Sequence, residues 1–151
     1  MIGNNSQLLL IVEDSDEDFE ALNRVMQQNI VVNPIFRCID GDEALDFLHH
    51  CGNYSNSETF PCPSIILLDL NLPGTDGREV IAQIKQHEHL RKIPIVVFTS
   101  SANPKDVEMC YQHSVASYIL KPIDIEKLIK TIHSLITYWL DIVILPDPIH
   151  S

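Results

Sequence analysis

Ser64-Ile65-Ile66-Leu67-Leu68-Asp69-Leu70-Asn71-Leu72-Pro73-Gly74-Thr75-Asp76-Gly77 is the stretch that decides the fold. A short, fully apolar run ends on a carboxylate and breaks into a turn rich in Pro, Gly and Asp. Such a run, closed by turn signals, suits a strand buried on both faces of a parallel sheet. Asp69 then stands at the carboxyl end of a central strand, where ligands and chemistry collect in open α/β sheets.

Working outward, four more apolar runs alternate with helical patterns. Leu8 to Val12 reads as a strand ending on Glu13-Asp14, followed by Ser15 as an N-cap and by Asp16, Glu17 and Asp18 in a helical first turn. Phe19, Leu22, Val25 and Met26 carry that helix to about Asn29. Ile35 to Ile39 reads as the next strand, and Asp40 with Glu43 as a capping box for a helix stopped by Gly52. Residues 53–63 read as a polar surface loop. After the central strand, Asp76 caps a helix with Val80, Ile81 and Ile84 on its buried face. Ile93 to Phe98 is a strand leading to Thr99-Ser100-Ser101, and Asn103-Pro104 opens a short helix with Val107, Cys110 and Tyr111 inward. Val115 to Leu120 is the last strand, and Asp124 caps a final helix striped with Leu128, Ile129, Ile132, Leu135, Ile136 and Trp139. Strand and helix alternate five times. The expected fold is therefore α/β, a doubly wound (βα)5 arrangement with a five-stranded parallel sheet and helices on both faces.

Composition narrows the function. The chain has 151 residues, enough for one domain, and 45% of them are hydrophobic. With 21 acids against 10 bases the formal charge is −11, and no basic patch exists to neutralise phosphates or anionic lipid. Nucleic acid and membrane surfaces are thus excluded as expected partners. No signal peptide or apolar run of about 20 residues appears, and Cys38, Cys51, Cys62 and Cys110 lack C-x-x-C spacing, so reduced thiols in a cytoplasmic protein are expected.

The strand ends carry the chemistry. In a parallel sheet, Glu13, Asp14, Asp69, Asn71, Thr99 and Lys121 all fall on one edge. Three converging carboxylates repel one another and have raised pKa values unless a cation offsets them. A small all-oxygen set suits Mg²⁺, which keeps several waters and recruits phosphate oxygens. A hydroxyl and an ammonium complete what a phosphoryl group needs. Singly, each residue has an ordinary explanation: the acids as a dipole-matched helix start, Lys121 as a solvated lysine, Thr99 as a strand-end cap. Their joint placement is what points to chemistry.

These motifs, Glu13-Asp14, Asp69 within Leu67 to Gly77, Thr99 and Lys121-Pro122, make residues Leu8 to Trp139 resemble the receiver domain of two-component response regulators, a flavodoxin-like receiver fold. The resemblance implies that Asp69 accepts a phosphoryl group from a histidine kinase. It implies that Asp14, Asp69 and the Asn71 carbonyl ligate Mg²⁺, which Mn²⁺ can replace, with Glu13 acting through a coordinated water. Lys121 would contact the phosphoryl oxygens, Thr99 would swing towards them and Tyr118 would turn inward behind it. The bond before Pro122 is expected to be cis. No enzymatic turnover is implied beyond self-limited autophosphorylation and autodephosphorylation. The expected layout is a disordered 1–7, a receiver over 8–139 and an apolar tail over 140–151 with no output domain. The long loop, the Thr-Ser-Ser segment and the ending also resemble the small receivers partnered with cyanobacterial phytochrome-type kinases.

Other readings are weaker. An EF-hand loop at Asp69-x-Asn71 fails because Pro73 and Val80 occupy ligand positions. A dehalogenase-type phosphatase would place a second Asp where Asn71 stands. A phosphorylation-independent adaptor is the third class. The seven histidines read as surface residues. Ile136, Tyr138, Trp139, Leu140, Ile142, Val143, Ile144 and Leu145 are too many apolar residues for one helix face. They either fold back on the core or join the Pro104–Gln112, Val115–Leu120 and last-helix face in a homodimer contact, and the homodimer is the expectation taken here.

Overall fold

The computed structural model describes residues 1–147. Five parallel strands, β1 (Leu9–Val12), β2 (Ile35–Cys38), β3 (Ile65–Leu68), β4 (Ile95–Thr99) and β5 (Ser117–Leu120), lie in the order β2-β1-β3-β4-β5. Helices α1 (Asp16–Gln28), α2 (Gly41–His49), α3 (Gly77–Gln86), α4 (Pro104–Gln112) and α5 (Ile125–Ile136) connect or follow them. The chain winds from β1 outward to β2 and then returns past β1 to β3. The reversal opens a crevice at the carboxyl ends of β1 and β3, between the two directions of winding.

Strand alternation divides the core. Leu10, Val12, Ile66 and Leu68 face α2, α3 and α4, packing with Phe47, Val80, Ile84 and Cys110. Leu9, Ile11, Ile65, Leu67, Val96 and Phe98 face α1 and α5, packing with Leu22, Val25, Leu128 and Ile132. Each fully buried Leu or Ile stabilises the fold by about 1.5–3 kcal/mol relative to exposure, and this two-sided burial fixes the register that carries Asp69 to the rim.

The helix starts follow the side-chain caps: Ser15, Asp40, Asp76, Asn103 and Asp124 each accept a backbone N–H from their own first turn. The Asp40 box is completed differently from the usual form, since the Glu43 carboxylate accepts the Ile39 N–H rather than that of Asp40. Four local readings change. His50, at φ 55°, ends α2 in the left-handed conformation, so Gly52 instead opens a 3₁₀ turn. On α4 the inward residues are Asp106 and Cys110, while Tyr111 is half exposed and its hydroxyl accepts the Tyr118 N–H. The 53–63 loop is pinned rather than free: Tyr54 and Phe60 pack edge-on against Phe36 and Phe47. No peptide bond among the described residues is cis, so the bond before Pro122 is trans, the default isomer of an X–Pro bond.

Residues 1–7, expected to be disordered, lie along the 30–33 turn. Ile2 N–H donates to Ile30 O, Val32 N–H donates to Ile2 O, and the buried Asn33 side chain joins Asn4 N–H to Gln7 O. The tail divides. Within and just after a π-helical turn over Thr137–Ile142, Leu140 and Leu145 are buried against the α1/α5 face, whereas Ile142 and Ile144 point outward. Residues 148–151 of the tail lie outside the described set.

Candidate functional site

The carboxyl ends of β1, β3, β4 and β5 bring Glu13, Asp69, Thr99 and Lys121 together. Register explains it: Val12 pairs with Leu68 and Thr99 with Leu120, so Glu13, Asp69 and Lys121, each one residue past its strand, share a rim with Thr99, the last residue of β4. Glu13, Asp69 and Thr99 are buried, Asp14 is exposed, and the Asn71 side chain points to solvent. Gly77 allows the following helix to start close by. A Cβ there would come within 2.5 Å of Asp69 O and 2.6 Å of Leu70 Cα, so a larger residue would push α3 away from the Asp69 loop.

The Lys121 ammonium lies at the centre. Its Nζ is 2.7 Å from Glu13 Oε1, 2.8 Å from Asp69 Oδ2 and 2.8 Å from Asp18 Oδ2. Burial alone would lower the lysine pKa, but these three acids overcome that and raise it. Glu13 is pushed up to about 7, mainly because burial penalises its charge, with Lys121 opposing the shift and Asp69 adding to it. Asp69 Oδ1 accepts the Asn71 N–H, Glu13 Oε2 accepts the Ser15 N–H, and the Arg37 guanidinium holds the Glu13 carbonyl. Glu13, Asp14 and Asp69 each offer a carboxylate oxygen, and these oxygens lie within 4.8 Å of one another. One ammonium for so dense a group of carboxylates leaves excess negative charge, and hard oxygen donors fit a small divalent cation.

Beyond the acids, Thr99 Oγ accepts a long bond from Ser101 N–H, at 3.4 Å. Half-buried Tyr118 donates its hydroxyl to Ser101 O at 2.7 Å. A second ion group borders this loop. Arg78 makes a paired contact with Asp106, 2.7 Å for each bond, and reaches Asp76 at 3.1 Å, while Ser101 Oγ donates to Asp106 at 2.6 Å. Sequence reasoning put Asp18 down as a dipole acid and passed over Arg37, Arg78 and Asp106. Nothing local in the sequence marks them: Arg78 and Asp106 lie 28 residues apart on different helices, and Asp18 and Arg37 meet their partners across the fold.

A family model described as the response regulator receiver domain matches residues 9–133. Response regulator Rcp1 of Synechocystis sp. is 40% identical over 143 residues, covering 95% of each chain. The crystal structure of the Mn²⁺-bound form of Rcp1 superposes with a TM-score of 0.88 at 39% identity, covering 93% of this chain and 99% of that one. The phosphorylated cyanobacterial phytochrome response regulator RcpA gives a TM-score of 0.86 at 34% identity, over 93% and 98% of the two chains. A family model matching residues 9–133, with a relative 40% identical over 95% of each chain, places this chain in the family of response regulator receiver domains.

Proposed function

We propose that this chain is a phosphorylation-controlled signalling module in which Asp69 accepts a phosphoryl group from a histidine kinase. The observation that carries this reading is the pairing of the buried Asp69 carboxylate with Lys121 at 2.8 Å, beside the acids Glu13 and Asp14. An Asp69 oxygen attacks phosphorus in line, the P–N bond of the phosphohistidine breaks, and the imidazole leaves with the bonding electrons. Lys121 and the Thr99 hydroxyl then donate to the phosphoryl oxygens. Glu13, Asp14 and Asp69, with the Asn71 carbonyl, would hold Mg²⁺ or Mn²⁺, which when bound offsets the charge of the transferring group. The names of the relatives support a phytochrome-type kinase as donor and a divalent cation as cofactor. Among the described residues no helix is long and apolar enough to cross a membrane, and a cytoplasmic kinase partner fits that.

Thr99 and Tyr118 adjoin the β4–α4 loop, so a change there biases the α4–β5–α5 face between two packings. That face and the tail expose Tyr111, Leu120, Ile123, Ile125, Tyr138 and Ile142, which suits a homodimer contact.

Incubation with phosphoramidate, with and without Mg²⁺, tests the reading by intact mass. One phosphoryl increment is expected, requiring both Mg²⁺ and Asp69 and absent in Asp69→Asn. No increment in the wild type would sink the proposal, and rapid multiple turnover of the donor would favour a phosphatase.

A further inference from the structure

We propose that Asp18 is a positioning residue for Lys121, competing with the phosphoryl group for the ammonium and so shortening the life of the acyl phosphate. This rests on Asp69 being the phosphoacceptor, as argued above. A lysine ammonium has three N–H donors and no more. All three meet carboxylates here, on Glu13, Asp69 and Asp18. Once Asp69 carries the phosphoryl group its own carboxylate charge is gone and its donor passes to a phosphoryl oxygen, which then shares the ammonium with Glu13 and Asp18.

Exposure distinguishes the two acids that remain as partners. The Glu13 side chain is 3% exposed, and leaving it without its cation would strand a buried charge. Asp18 is 29% exposed, so water can replace the lysine there at small cost. Asp18 is also held in place, because its backbone N–H is capped by Ser15 Oγ at 3.2 Å in the first turn of α1. It lies outside the close group formed by Glu13, Asp14 and Asp69, so it acts on the ammonium without being one of the three converging acids. A helix-dipole role alone would be served by Asp16 and Glu17 in the same turn, neither of which reaches Lys121.

The test loads each protein with phosphoramidate and Mg²⁺, removes the donor, and follows loss of the phosphoryl increment by intact mass. Asp18→Asn is expected to lengthen the phosphoryl lifetime on the order of tenfold, the size of a charge-assisted hydrogen bond. Asp18→Glu should restore the wild-type lifetime. In a Lys121→Met background, Asp18→Asn should have no effect, because Asp18 acts through the ammonium. Affinity for beryllofluoride gives the same cycle without a transfer step: Asp18→Asn should tighten binding only when Lys121 is present. An unchanged lifetime in Asp18→Asn overturns the inference, as does an effect that persists undiminished in Lys121→Met. Thermal melts identify any variant that fails to fold, and Asp18→Ser then supplies the comparison. A wild type that takes no phosphoryl group would remove the Asp69 reading itself; one that takes it but ignores Asp18 removes only this inference.

Discussion

Around Nζ of Lys121 the molecule has assembled acids from α1 and from the ends of β1 and β3, and even Asp18 on α1 is 103 residues away in sequence. Removing the ammonium leaves Glu13 and Asp69 buried and unpaired. Lys121→Met should therefore lower stability by about 3 kcal/mol, and Mg²⁺ should recover much of the loss by taking over as counter-ion. Urea melts with and without Mg²⁺ measure both effects, and a variant as stable as the wild type in the absence of Mg²⁺ would contradict the ion geometry. Glu13, Asp14, Asp69, Thr99 and Lys121 were legible in the sequence because each follows an apolar run, and a run's end is where a parallel sheet exposes its side chains. Asp18 was not legible. An acid in a helical first turn has a sufficient local explanation, and nothing local tells that its carboxylate reaches across to the end of β5.

At the level of elements, the Arg78–Asp106–Ser101 group ties the start of α3 to α4 and to the loop after β4. The Arg78 guanidinium, helped by the Ser101 hydroxyl, holds the Asp106 carboxyl down to about 2 from an ordinary value of 3.8. A depressed folded-state pKa contributes stability that is fully present above the unfolded value and lost as pH falls through the folded one. The contribution is thus present above about pH 4 and fades towards pH 2. Because Arg78 is partly solvated, it amounts to roughly 1–2 kcal/mol. The stability difference between wild type and Asp106→Asn should match that at pH 7 and shrink towards zero near pH 2, as read by urea midpoints; a pH-independent difference would contradict the pairing. The five helix starts were legible from their caps. The inward turn of Asp106 was not, because a buried acid is readable only with its Arg partner, and Arg78 lies 28 residues away on another helix. The loop after α2 looked polar for a similar reason: Tyr54 and Phe60 are outnumbered by polar neighbours in sequence, but Phe36 and Phe47 give them a surface to cover.

For the whole molecule, the doubly wound parallel sheet followed from strand–helix alternation and crossover handedness, and the two-faced core from strands that are apolar along their length. The ends of the chain resisted such reasoning. Residues 1–7 have no apolar pattern, and their anchoring depends on Asn33, whose side chain bridges two backbone groups. The tail has more apolar residues than one surface can take, and Leu140 and Leu145 turn in while Ile142 and Ile144 remain out. If the α4–β5–α5 face and the tail join two copies, Ile125→Glu and Ile142→Glu should each raise the dimer Kd at least about tenfold. Sedimentation equilibrium measures this, and a wild type that remains monomeric at high concentration would refute the dimer.

Trp139, the chain's one tryptophan, packs against the α1/α5 half of the core. It lines a small cavity with Leu9 and Ile65, the first residues of β1 and β3, at the opposite edge of the sheet from Asp69. The helix before it, α5, is about 18 Å long. Indole emission therefore watches the far end of the molecule, out of contact with the acids. Any change in its intensity or wavelength when a phosphoryl donor is added is light from a transmitted event, and the protein carries its own optical readout of whether the message crosses the sheet.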